Sequence, residues 1–309
     1  MKITITQAHI TAYLKECRIK KHLNAHTLKA YSIDMKQFLI YLETISYQID
    51  KSSLENYIEG LHEKYPKPKT VKRKIATLVA FFNYLVFNDI IDNNPMNKIN
   101  TKFKEPKLLP RIVDTTDLKR LFKQLYIDLE ESKTNYQLKQ AARNTALLEL
   151  LFSTGIRVSE LCNLRINNVN LKEGYVRIYG KGAKERILQI GNQQVMDSLN
   201  LYRKLFAEEL NTSLYFFINK LGNRLSEQSV RLVINRYEHQ LKINQHLTPH
   251  MFRHTFATML LEEDVDIRYI QQILGHSSIT TTQIYTHVSS CKQKEILINK
   301  NPRNTLQDE

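Results

Sequence analysis

Apolar residues recur at three- and four-residue spacing along most of this 309-residue chain, and they give way to clear alternation in one place only. There, Tyr175-Val176-Arg177-Ile178-Tyr179 and Arg186-Ile187-Leu188-Gln189-Ile190 flank the turn Gly180-Lys181-Gly182-Ala183-Lys184. Period-two patterning marks a strand with one buried face, and two such runs around a glycine-containing turn predict a hairpin. The remaining periodicity is helical. The expected fold is therefore mainly α with a small β-sheet.

The first hundred residues read as four helices. Ile10, Tyr13, Leu14 and Cys17 share one face. Leu28, Tyr31, Met35, Phe38, Leu39 and Leu42 share another, after a cap region at Asn24 to Thr27. Leu54, Tyr57, Ile58 and Leu61 mark a third helix capped by Ser52 or Ser53, which Pro66 and Pro68 bring to an end. Val71, Ile75, Leu78, Val79, Phe82, Leu85 and Val86 mark the fourth, closed by Asp92-Asn93-Asn94-Pro95. Four short-looped helices predict one compact domain over residues 1–100. Residues 101–113, with Pro106, Pro110 and no periodicity, read as a linker. Residues 114–309 then form a second domain. It opens with Asp117–Leu129, capped by Thr115 or Thr116, and Tyr136–Phe152, stopped by Gly155 in a left-handed conformation. A short helix from Ser159 leads to the hairpin, and helices return at Gln194–Leu210 and Glu227–Leu241.

Charge narrows the partner. The net formal charge is +14 and the sequence pI is about 9.5, which points to an acidic polymer, nucleic acid first. Residues 1–104 carry net +8 and the remainder net +6, so both domains are basic and a grip from two sides is expected. Lys67, Lys69, Lys72, Arg73 and Lys74 gather where the fourth helix starts, beside a helix N-terminus that itself favours anions, and are the expected phosphate contacts. Cys17, Cys162 and Cys291 are isolated and form neither a Cys-x-x-Cys pair nor a zinc-spaced cluster, so no metal is expected. The N-terminus lacks a signal-peptide core, and the most apolar window, Leu78–Phe87, is far shorter than the ~20 residues that span a bilayer. A soluble cytoplasmic protein without a membrane partner is expected.

The chemistry concentrates between Leu247 and Val288. Thr248 caps a helix and Pro249 takes its first turn, so His250 and Arg253, three apart, fall on one face near its N-terminal end. A cation and an imidazole beside a positive helix end make a phosphate-binding surface. Taken alone, TPHMFRH serves equally well as an ordinary helix start. Leu274-Gly275-His276 reads as a helix stop followed by a histidine, and Ser277 to Thr282 starts a helix that carries Tyr285 about two turns in.

LTPHMFRHTFAT, LGHSSITTTQIYTHV, TGIRVSEL (Thr154–Leu161) and GKGAKER (Gly180–Arg186) resemble, in order and spacing, the four signature blocks of the tyrosine site-specific recombinases, the phage integrase family. The helical block in front resembles that family's SAM-like core-binding domain, so the resemblance covers essentially the whole chain. It implies a mixed α/β catalytic domain that forms a clamp around DNA with the core-binding domain. It also implies roles. Arg157 and Arg253 match the two arginines on the non-bridging oxygens of the scissile phosphate, a task suited to a planar, permanently charged guanidinium. Lys181 matches the lysine that protonates the departing 5′ oxygen, and Lys184 is close enough to compete. His250 matches the histidine of proton transfer, His276 a second hydrogen-bond donor, and Tyr285 the nucleophile that forms a 3′-phosphotyrosine. Glu160, three residues after Arg157, matches an acidic position that orients it. His254 reads as packed against the site, outside the chemistry. Where many relatives carry an aspartate after the arginine block, this chain has Asn167-Asn168-Val169, which touches a turn.

The implied reaction is cleavage and rejoining of double-stranded DNA through a Holliday junction, by a homotetramer or a heterotetramer with a related recombinase, without cofactors. The core-binding helices begin almost at once and leave no room for an arm-binding domain, which resembles the Xer group that resolves DNA dimers. Integration by a mobile element or integron is the alternative. A type IB topoisomerase-like enzyme and an inactive DNA-binding regulator stand further off. Residues from about 288 to 309 resemble the segment that relatives exchange between neighbouring subunits, with folding back on the same domain as the other possibility.

Overall fold

The computed structural model describes residues 3–23, 25–101, 103, 110–179 and 185–275. The chain divides into two compact units, Met1–Lys107 and Leu108–Glu309, and the division falls inside the proline-bearing segment 101–113.

The first unit is a bundle of α1 (Gln7–Ile19), α2 (Ala25–Thr44), α3 (Lys51–Lys64) and α4 (Pro68–Phe87). Its core is aromatic: Tyr13, Phe38, Phe81 and Phe82 are fully buried, with edge-on contacts such as Tyr13 against Phe81 at 5.4 Å between centroids. A two-residue ladder, β1 (Ile3–Thr4) against β2 (Gln48–Ile49), closes the bundle. Runs this short carry no alternation to read. The cap of α3 also differs from expectation. Asp50 takes that place, accepting from the Ser53 amide at 2.8 Å while Ser53 Oγ accepts from the Asp50 amide at 2.9 Å. Ser53 is thus the third residue of a reciprocal cap, and Ser52 has no part in it.

The basic start of α4 requires a correction. Lys67, Lys69 and Lys72 are exposed, but Lys74 is only 3% exposed and donates to Asp34 Oδ1 at 2.9 Å. Arg73 donates to the other oxygen of Asp34, and Thr77 Oγ1 adds a bond of 3.1 Å. Lys74 therefore serves as the internal counterion of a buried carboxylate, pinning α4 to α2, and is withdrawn from the phosphate contacts. A buried charge is tolerable only when so paired.

In the second unit α6 (Asn135–Thr154) is the central helix. Residues 141–151 are buried without interruption, as in a helix enclosed on all sides. Packed on it are α5 (Thr115–Glu130), α8 (Gln193–Leu205) and α11 (Pro249–Glu262). Asp114, ahead of the expected threonines, caps α5 by accepting from the Thr116 amide at 2.7 Å. After α7 (Val158–Cys162) comes a three-stranded antiparallel sheet, β3 (Val169–Asn170), β4 (Tyr175–Tyr179) and β5 (Glu185–Gln189), in that order. The single helix expected over Gln194–Leu210 is two, α8 and α9 (Ala207–Thr212). Phe206 sits between them, its buried ring 4.7 Å from that of Tyr202. The unit ends in α10 (Glu227–Gln240), α11 and α12 (Ile267–Leu274). No described helix is long and apolar enough to cross a membrane.

Candidate active site

Two helix endings and two helix beginnings meet in the second unit. α6 stops at Gly155 (φ 58°) and α12 at Gly275 (φ 63°), both left-handed. At Gly155 a side chain is excluded twice over, because a Cβ there would lie 2.6 Å from Phe256 Cδ1. The last carbonyls of a helix have no partner inside it and carry its partial negative charge. Here arginines take them. Arg253 donates from Nη1 to the Gly155 carbonyl at 2.6 Å and from Nη2 to the Leu274 carbonyl at 2.7 Å. Arg157 donates from Nη2 to the Gly275 carbonyl at 3.2 Å. The two guanidiniums are thus hung on consecutive carbonyls of one helix end. Arg253 is buried at the back, and the Arg157 side chain is 34% exposed at the rim.

Glu160 fixes Arg157 through the geometry of a helix start. Arg157 caps α7, its backbone N–H donating to Glu160 Oε2 at 3.1 Å and its Nη1 to Oε1 at 2.9 Å. The same carboxylate takes both terminal nitrogens of Arg186, at 3.1 and 2.6 Å. Burial works to raise the Glu160 pKa, but the bonds and charge of Arg186, then of Arg157, outweigh it and hold the carboxyl below its usual range. Glu160 is ionised wherever the fold persists near neutral pH.

His250 lies in the first turn of α11, whose cap, Thr248, accepts from the Met251 amide at 3.4 Å. Partial burial, then the charges of Arg253 and Arg157, lower its pKa. His254, one residue past Arg253, is pushed down to about 4 by burial, then by His250 and Arg253. Both imidazoles are neutral at pH 7, so His250 can accept a proton there. Arg157, Glu160 and Arg186 line an open groove of about 1990 Å³, along with Arg165, Arg177 and Tyr269. Two fixed guanidiniums beside a neutral imidazole at the edge of a basic groove can hold a phosphodiester and stabilise charge developing on its oxygens.

Of the residues expected from the sequence, Arg157, Glu160, His250 and Arg253 come together here. Lys181, His276 and Tyr285 lie outside the described residues. Lys67, Lys69, Lys72 and Arg73 belong to the other unit. Sequence reasoning passed over Arg186, whose only signal was a charged residue closing the GKGAKER block, and over Arg165 and Arg177, which no local pattern distinguishes from surface arginines.

Comparisons with known proteins agree with this construction. Residues 10–88 match the phage integrase N-terminal SAM-like domain, and residues 122–291 match the phage integrase family. A tyrosine recombinase of Agathobacter rectalis is 53% identical over 298 residues, covering 96% of this chain and 97% of that protein. The tyrosine recombinase XerC of Thermodesulfovibrio yellowstonii is 36% identical, covering 93% of each. Among solved structures, the XerH site-specific recombinase bound to a palindromic difH substrate, a post-cleavage complex, is 20% identical with a TM-score of 0.75, over 93% of this chain and 83% of that one. The chain belongs to the phage integrase family, as a Xer-like tyrosine recombinase, an enzyme of site-specific DNA recombination.

Proposed function

We propose that the chain cleaves and rejoins double-stranded DNA at specific sites, with Tyr285 as nucleophile. The observation that carries this reading is the pair of guanidiniums, Arg157 and Arg253, anchored on the Gly155, Leu274 and Gly275 carbonyls and on Glu160. Tyr285 Oη attacks the scissile phosphorus, and the bond from phosphorus to the 5′ oxygen breaks, leaving a 3′-phosphotyrosine and a free 5′ hydroxyl. His250, neutral at pH 7, takes the phenolic proton, and Lys181 supplies the proton to the departing oxygen. Arg157 and Arg253, with His276, hold the non-bridging oxygens as charge gathers on them. Because a phenolate is itself a fair leaving group, a 5′ hydroxyl from either duplex reverses the step and conserves the bond energy. Arg165 and Arg177 in the groove, and Lys67, Lys69, Lys72 and Arg73 in the first unit, hold the flanking phosphates.

The role is the resolution of DNA dimers in the cytoplasm, by a tetramer on two sites passing through a Holliday junction. The XerC relative supports this role over that of a mobile-element integrase. The test is a nicked suicide duplex, in which the strand beyond the cut diffuses away and traps the adduct. The wild-type chain should become covalently attached to DNA. Tyr285→Phe should bind equally well without forming an adduct, and an adduct surviving that change would refute the assignment.

A further inference from the structure

We propose that Arg186 is a positioning residue for the cleavage reaction, acting on Arg157 through Glu160; the proposal rests on the recombinase reading above. Arg186 stands in β5, five residues after Lys181, and its side chain is 11% exposed. Its guanidinium is spread over two separate segments. Nη1 and Nη2 grip Glu160 at 3.1 and 2.6 Å, and Nε donates to the Ile273 carbonyl at 3.0 Å. One side chain thus joins the strand that follows Lys181 in sequence, the turn carrying Arg157, and the end of α12, which precedes His276 in sequence.

The chain makes room for this clamp. A Cβ on Gly275 would lie 3.0 Å from Arg186 Nη1 and 3.2 Å from its Cδ and Cζ, so the glycine that ends α12 also lets the guanidinium pass beneath it. Lysine cannot reproduce the arrangement, because a single ammonium does not bridge two carboxylate oxygens and a carbonyl in one plane.

The electrostatic consequence concerns Arg157. Glu160 accepts four hydrogen bonds, two from Arg186 and two from Arg157, which uses about all the acceptor sites a carboxylate has. One negative charge is shared between two cations. Without Arg186 the whole carboxylate charge faces Arg157, drawing its guanidinium inward and cancelling the positive field it directs into the groove. Arg186 therefore keeps Arg157 both oriented and effectively charged while touching no DNA itself.

The experiment measures single-turnover cleavage of the nicked suicide duplex at saturating DNA, with the full chain and its Arg186→Gln, Arg186→Lys, Glu160→Gln and Arg186→Gln/Glu160→Gln variants. Arg186→Gln should slow cleavage by about 10- to 100-fold, the range for residues that orient a catalytic group, with DNA affinity within about twofold of wild type. Arg186→Lys should recover only part of the loss. In the Glu160→Gln background, Arg186→Gln should cost less than about threefold more, because the two act as one unit. A substrate with a neutral methylphosphonate at the scissile position should shrink the Arg186→Gln defect, since less charge then awaits Arg157. The proposal is overturned if Arg186→Gln cleaves at the wild-type rate. It is equally overturned if the Arg186 and Glu160 losses multiply independently, or if the defect is unchanged on methylphosphonate, which is the behaviour of a purely structural loss. Failure of the wild-type chain to form a Tyr285 adduct would overturn the recombinase reading instead.

Discussion

Replacing Asp34 by alanine should strongly destabilise the N-terminal unit, because it strands a lysine in the interior. Asp34 and Lys74 are each only 3% exposed, and the carboxylate accepts from Lys74, Arg73 and Thr77. Their fates differ after truncation. Arg73 is 40% exposed and can turn to water, and Thr77 keeps its bond to the Arg73 carbonyl at 3.0 Å. Lys74 is left with the neutral oxygen of Gln37 and the face of Tyr65 at 4.7 Å. Breaking a buried pair from one side costs about 3–5 kcal/mol, a large share of the roughly 5–15 kcal/mol that holds a domain together. At roughly 4–8 °C per kcal/mol for a domain of this size, the melting temperature should fall by at least about 12 °C. Removing both charges, in Asp34→Leu with Lys74→Met, should come out neutral or stabilising, since two apolar side chains replace a desolvated pair. The chain has no tryptophan, so unfolding is followed by far-ultraviolet circular dichroism, with hydrogen exchange in α2 and α4 locating it in this unit. A loss below about 1 kcal/mol for Asp34→Ala, the worth of a surface ion pair, would refute the reasoning.

The same pair divides the basic run in DNA binding. Alanine at Lys67, Lys69 or Lys72 should each flatten the salt dependence of binding by roughly 0.9 in log–log slope, whereas Lys74→Met should leave the slope alone; a reduced slope for Lys74→Met would place that ammonium on DNA after all. The two depressed histidines make stability pH-dependent on the acid side. An unfolded histidine titrates near 6.5 while His254 titrates at about 4 and His250 also lies lower, so below pH 6.5 the unfolded chain binds more protons. The stability these neutral imidazoles confer is therefore present above pH 6.5 and lost as pH falls toward 4. Melting temperature against pH should show this fall in the wild type and a shallower one in His254→Gln; identical profiles would exclude His254 as its source. The acid limb of the cleavage profile should likewise lie below the 6.5 of a free histidine, because burial and the charges of Arg253 and Arg157 lower the His250 pKa.

Much of this was legible in the sequence, and the limit has a physical origin. Apolar spacing marks which face of a helix will be covered, and glycine marks where the chain must turn left-handed, so the helices, the hairpin and the stops at Gly155 and Gly275 follow from residues within a few positions of each other. The Arg157–Glu160 pair is local in the same sense, three residues apart across one helix start. The misplaced caps were local too, but competitive: Asp50 and Asp114 displaced nearby serines and threonines, a choice between neighbours that composition alone does not make.

The sequence by itself determined the mainly helical class and the four motifs that carry the family resemblance. Only the tertiary structure decided what each charge is for. Lys74 and Lys72 are alike as sequence, yet one neutralises an aspartate forty residues earlier and the other is exposed at the surface. Arg186 is unremarkable until folding brings it to Glu160 and to a carbonyl 87 residues later. An ionic side chain has no periodicity to betray its partner. Its role is set by which distant group shares its low-dielectric surroundings, and that is a property of the packed fold.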